Sequence, residues 1–96
     1  TPLYSSAASD VYKRQIEQQA RLTFTNLRNA LQAAGGTLAH VTQVLIYMTD
    51  VADMPTIDAV YREFFEAPYP NRSSMGISAL VVPGMKLEIV AYAMLP

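Results

Sequence analysis

The 96-residue chain contains no cysteine and one histidine, and only 16% of its residues are charged. The absence of cysteine excludes disulfides, thiolate nucleophiles and thiolate metal sites. His40 falls in a predicted surface turn with no second ligand-type residue at metal spacing, so it is expected to be a solvated loop residue. Net charge is -1, from seven basic and eight acidic residues, and no basic stripe follows any predicted helix. Nucleic acid as a partner therefore has no electrostatic footprint. No apolar run approaches the ~20 residues a membrane span requires, and the N-terminus lacks the charged-then-apolar pattern of a secretory signal. A cytoplasmic protein without a membrane partner is the expectation. Phosphate loops, dinucleotide fingerprints and serine-nucleophile motifs are missing too, and no cofactor or metal is expected.

Hydrophobic residues, in contrast, make up 51% of the chain. Soluble domains usually carry roughly 25% charged residues, so this chain has too few charges to cover a monomer whose small core leaves much surface unburied. Association with further copies is the simple consequence.

Residues 1–15 show no sustained period and are expected to be an atypical lead-in, foreign to the domain or disordered. Residues 16–96 are expected to form a single domain. Ile16, Ala20, Phe24, Leu27, Leu31 and Ala34 step by three and four, which predicts a helix ended by Gly35-Gly36. After a short turn capped by Thr37, Val41 to Thr49 reads as a strand with both faces apolar, hence a central one. Asp53 is the expected N-cap of a second helix, whose buried stripe is Ile57, Val60, Tyr61 and Phe64. Pro68 and Pro70 end it.

From Arg72 the period falls to two, and after the turn at Val82-Pro83-Gly84 a last strand runs from Lys86 to Met94. The Leu87 face of that strand suits packing under the helices. The opposite face carries Glu88 and then Val90, Tyr92 and Met94, and reads as a subunit interface with a polar pocket at its edge. If the last two strands pair as a hairpin, Arg72, Ser74 and Glu88 share that non-helix face. The element order gives an α+β fold with two helices packed on one face of a mixed sheet.

Arg72 and Glu88 stand out because a charge inside an otherwise buried strand is costly unless a partner or ligand meets it. A guanidinium can donate two parallel hydrogen bonds to a carboxylate, and a carboxylate within reach of a water can orient it and move its proton. Each residue could equally serve a structural ion pair, Arg72 with a neighbouring subunit's acid and Glu88 with Arg72 or Lys86 at an interface.

From about Ile16 to Pro96 the chain resembles the Rid family, also called the YjgF/YER057c/UK114 family. The resemblance rests on Pro70-Asn71-Arg72-Ser73-Ser74-Met75, Ser78, Leu80 and Leu87-Glu88-Ile89. Support comes from Ala33-Ala34-Gly35-Gly36-Thr37-Leu38, Tyr47-Met48-Thr49-Asp50 and Val60-Tyr61-Arg62-Glu63-Phe64-Phe65. It implies a chorismate mutase-like fold, a homotrimer and active sites in clefts between subunits. It further implies hydrolysis of 2-imino or enamino acids, such as 2-iminobutanoate and 2-iminopropanoate, to 2-oxo acids and ammonia. By matching position, Arg72 would clamp the substrate carboxylate, Ser74 would contribute to substrate binding and Glu88 would handle water and protons. A non-catalytic trimer that binds small carboxylates or regulates a partner is the alternative. Ribonuclease-like activity, which has family precedent, is disfavoured by the acidic balance. Two departures stand out: the usual N-terminal strand hairpin is replaced by residues 1–15, in which Tyr4-Ser5-Ser6-Ala7 is a partial echo of a family segment, and Ser74 occupies a position where several members carry cysteine.

Overall fold

The computed structural model describes residues 2–96, with side chains described from Tyr12 onward. Helix α1 spans Pro2–Ala33, strand β1 Val41–Met48, helix α2 Met54–Phe64, strand β2 Asn71–Gly76 and strand β3 Leu87–Ala93. Single 3-10 turns, Leu38–His40 and Val51–Asp53, precede β1 and α2. The expected lead-in falls largely on residues whose side chains lie outside the described ones. Within its described part, Tyr12 packs against the core.

The apolar stripe read from the sequence is the buried face of α1. Ile16, Ala20 and Phe24 are fully buried, Leu31 is buried and Leu27 partly so. Ala34 lies beyond the last helical residue and is exposed, because Gly35 takes the left-handed conformation (φ 86°) that ends the helix. Thr37 caps the following turn with its hydroxyl, and His40 returns the bond, its Nδ1 accepting from the Thr37 N–H at 2.9 Å. His40 thus lies in a half-exposed turn as expected, and there it closes a capping box.

Asp53 stands at the N-cap position of α2 as expected, but its side chain makes no capping hydrogen bond there. The cap of this corner is Asp50, whose Oδ1 accepts from the Ala52 N–H at 2.9 Å. The Asp53 carboxylate turns to α1 instead, where it accepts a hydrogen bond from the Tyr12 hydroxyl at 3.0 Å. On α2, Ile57, Val60 and Tyr61 are buried as the spacing predicts, but Phe65 at the helix C-cap is buried more deeply than Phe64. The three rings of Tyr61, Phe64 and Phe65 surround Phe24, with centroids 5.8, 5.7 and 6.1 Å away. Burying one such side chain is worth about 1.5–3 kcal/mol, so this aromatic cluster is the main tie between the helices.

The sheet order is β2-β1-β3, with β1 parallel to β2 and antiparallel to β3. β1 is central, as its two apolar faces require. The hairpin expected between the last two strands does not form. A helix between β1 and β2 returns the chain in the same direction, which suits parallel pairing, and β1 offers one open edge to β2 and another to β3. Val44, Ile46 and Met48 face the helices and are buried, joined from β3 by Leu87.

Candidate functional site

Arg72 pairs in register with Val44 of β1, which is fully buried beneath the helices. Register partners project to the same face of a sheet, so Arg72 points to the helix side and not away from it. There its Nη1 donates to Oδ1 of Asp58 on α2 at 2.7 Å, and its guanidinium carbon sits 4.6 Å from the centroid of the Tyr61 ring. The second oxygen of Asp58 accepts from Nε of Arg62, one helical turn further along α2, at 2.8 Å. Hydrogen bonds from Arg62 and then from Arg72 hold the Asp58 carboxyl below its usual value, so one carboxylate joins two guanidinium groups.

Two tyrosines complete this corner. The Tyr61 hydroxyl is the buried side-chain polar atom without a hydrogen-bond partner among the described residues, and burial pushes its pKa up. The Tyr69 ring lies 6.2 Å from that of Tyr61, and the Arg62 guanidinium sits 5.6 Å from the Tyr69 centroid. Tyr61, Arg62, Tyr69, Pro70 and Arg72 line a cavity of 170 Å³. Two arginines against one acid leave it net positive, and the tyrosines give it apolar walls. Such a corner suits a small anion with a short carbon skeleton.

Ser74 follows Arg72 by two residues on the same face, is exposed, and does not line the cavity. Glu88 lies elsewhere. It pairs with Tyr47 and alternates with buried Leu87, so it is exposed on the face turned away from the helices. Among the described residues neither Arg72 nor Lys86 forms a salt bridge with it. Arg72 and Glu88 sit on the two outer strands, three register steps apart, which places their backbones roughly 14 Å from each other by standard strand spacing. The expected common face is therefore overturned, because both strands pair with β1 and not with each other.

The sequence assigns no site role to Asp58, Tyr61, Arg62 or Tyr69; Tyr61 reads as core, and Tyr61 and Arg62 enter only through the family resemblance. The i,i+4 spacing of Asp58 and Arg62 was a visible signal for one ion pair, but the link from Asp58 to Arg72 depends on how α2 packs over β2. Among the described residues no cluster of three or more histidine, cysteine or acidic residues could hold a metal ion, and no helix is long and apolar enough to cross a membrane.

A family model described as Endoribonuclease L-PSP matches residues 4–95. The 2-iminobutanoate/2-iminopropanoate deaminase of Dermatophagoides farinae is 35% identical over 65 residues, covering 68% of this chain and 51% of that protein. Escherichia coli TdcF, whose name places it among reactive intermediate deaminases, is 36% identical over 81 residues, covering 81% of this chain and 62% of the relative. The crystal structure of TdcF with bound serine superposes with a TM-score of 0.76, covering 81% of this chain and 63% of that one. A Mycobacterium tuberculosis protein of the YjgF/YER057c/UK114 family gives a TM-score of 0.74 at 34% identity, over 77% of this chain and 63% of its own. The chain thus spans 51–63% of the length of these relatives. With a family model covering nearly its whole length and the same two-helix, mixed-sheet arrangement, this chain belongs to the YjgF/Rid family.

Proposed function

We propose that the chain acts in the hydrolytic deamination of small 2-imino acids, or their enamine tautomers, to 2-oxo acids and ammonia. The names of its relatives support this reaction class. The observation that carries the reading to residues is the partly buried Arg72 guanidinium, stacked on Tyr61 at the wall of a small cavity. Arg72 clamps the substrate carboxylate, which a lysine cannot match in two-point geometry. Ser74, on the same strand face, adds a hydrogen bond to the bound acid.

Water adds to the carbon of the protonated imine, one of its protons passes to nitrogen, and the carbon–nitrogen bond breaks as the new hydroxyl gives up its remaining proton to the departing ammonia, leaving the oxo acid and ammonium. Glu88 takes and returns the proton. Arg72 and Glu88 lie on opposite faces of one sheet, so a small acid touches both only where copies of the chain meet. The reading therefore calls for an oligomer, and we take it to be a homotrimer with no cofactor.

The test is ammonia release from freshly generated 2-iminobutanoate, together with solution mass. Arg72→Ala should abolish the accelerated rate and leave the oligomer intact; an unchanged rate removes the clamp assignment. The separation of Arg72 from Glu88 within one chain favours one second reading, a carboxylate-binding protein without turnover. Thermal stabilisation by 2-oxobutanoate with no ammonia release would select it.

A further inference from the structure

We infer that Asp58 is the positioning residue of the carboxylate clamp, bridging Arg62 and Arg72 so that the Arg72 guanidinium is fixed before a ligand arrives. The inference rests on the reading of Arg72 as clamp and extends it to a residue on another element.

Asp58 could compete with a ligand for Arg72 or hold Arg72 for it, and the geometry points to the second. A competitor would take two parallel hydrogen bonds from the arginine fork. Asp58 takes one, Nη1 to Oδ1, because its Oδ2 is engaged by Nε of Arg62. Nε and Nη2 of Arg72 make no hydrogen bond with the described residues, and this edge is the one that can meet a second carboxylate in two-point fashion. The guanidinium is restrained a second way, by the face of Tyr61. Asp58 is itself held, since it and Arg62 are spaced by one turn of α2 and form an i,i+4 pair. A free arginine loses rotamer freedom when it binds, and here that freedom is already surrendered to Asp58 and Tyr61. The cavity beside it keeps Tyr61, Tyr69 and Pro70 as walls, so a ligand lodges its carboxylate on Arg72 and its short chain against the rings.

The sign of the effect separates positioning from charge. Removing Asp58 deletes a negative charge next to the cavity, which by Coulomb attraction alone would tighten the binding of any anion. Positioning predicts the reverse. The experiment is calorimetric titration of the 96-residue chain with 2-oxobutanoate and with its neutral amide, 2-oxobutanamide. Asp58→Asn is expected to raise the Kd of the acid about tenfold and to leave that of the amide within twofold, with an unchanged circular dichroism spectrum. Asp58→Glu is expected to recover part of the loss. Unchanged or tighter binding of the acid by Asp58→Asn overturns the inference, as does equal weakening of acid and amide, which marks a merely structural role. Arg72→Ala is titrated in parallel. If it binds the acid as well as the unaltered chain does, or if the unaltered chain binds none, the clamp reading fails and this inference with it. If Arg72→Ala loses the acid while Asp58→Asn does not, only the role of Asp58 falls.

Discussion

The Tyr12 hydroxyl donates a hydrogen bond to the Asp53 carboxylate at 3.0 Å, tying α1 to the corner that opens α2. Burial, and then this bond, push the Tyr12 pKa up to about 12. Burial likewise raises the Asp53 carboxyl above its usual value, although the Tyr12 bond opposes the rise. An acid raised on folding contributes stability that is present below its unfolded pKa and is lost as pH rises through the folded one. Tyr12→Phe removes the donor that favours the ionised form. It should destabilise the chain by about 1–3 kcal/mol at neutral pH, the range for a buried group left unpaired, and by less below pH ~4, where an ordinary aspartate is already taking up its proton. Urea unfolding at the two pH values measures the difference, and an equal loss at both would show that the hydroxyl does not serve the carboxylate.

Phe24 is fully buried and meets the rings of Tyr61, Phe64 and Phe65. Phe24→Ala should cost about 3–5 kcal/mol through lost burial and the cavity left behind. Because Tyr61 supports Arg72, the same variant should also weaken 2-oxobutanoate binding. Unfolding midpoint and titration on one sample test both.

Gly35 ends α1 at φ 86°, and a Cβ built there meets nothing within 4 Å. Gly35→Ala should therefore cost about 1 kcal/mol from backbone strain alone. Thermal unfolding checks this; a loss several times larger would mean that the helix end is under another constraint.

Glu88→Gln tests the proton-handling role. The amide keeps the shape but cannot accept the proton, so kcat for 2-iminobutanoate should fall by ~10²–10⁴-fold with KM changed little. Arg72→Lys should do the opposite and act chiefly on KM. If Glu88→Gln turns over normally, water activation belongs to another group.

The sequence was legible where the signal is local. The α1 stripe, the glycine end, the centrality of β1 and the Leu87 face all follow from periodicity over a few neighbours, and the Arg72 and Glu88 segments carried the family resemblance. Local cues failed at Asp53, where a cap position was correct for the residue type but Asp50 held the corner and Tyr12 took the carboxylate.

The sequence by itself determined which residues alternate with which along β2 and β3, and so that Arg72 and Ser74 share one side and Glu88 parts from Leu87. For β2 it could not determine which side faces the helices, because that depends on the neighbour and register of the strand, and a one-residue change of register exchanges the faces. Only the tertiary structure decided that β1 separates β2 from β3, that Arg72 lies under α2 against Asp58 and Tyr61, and that Glu88 lies on the far face. Those relations join residues 11 or more positions apart in the chain, where pairing and packing act and periodicity carries no information.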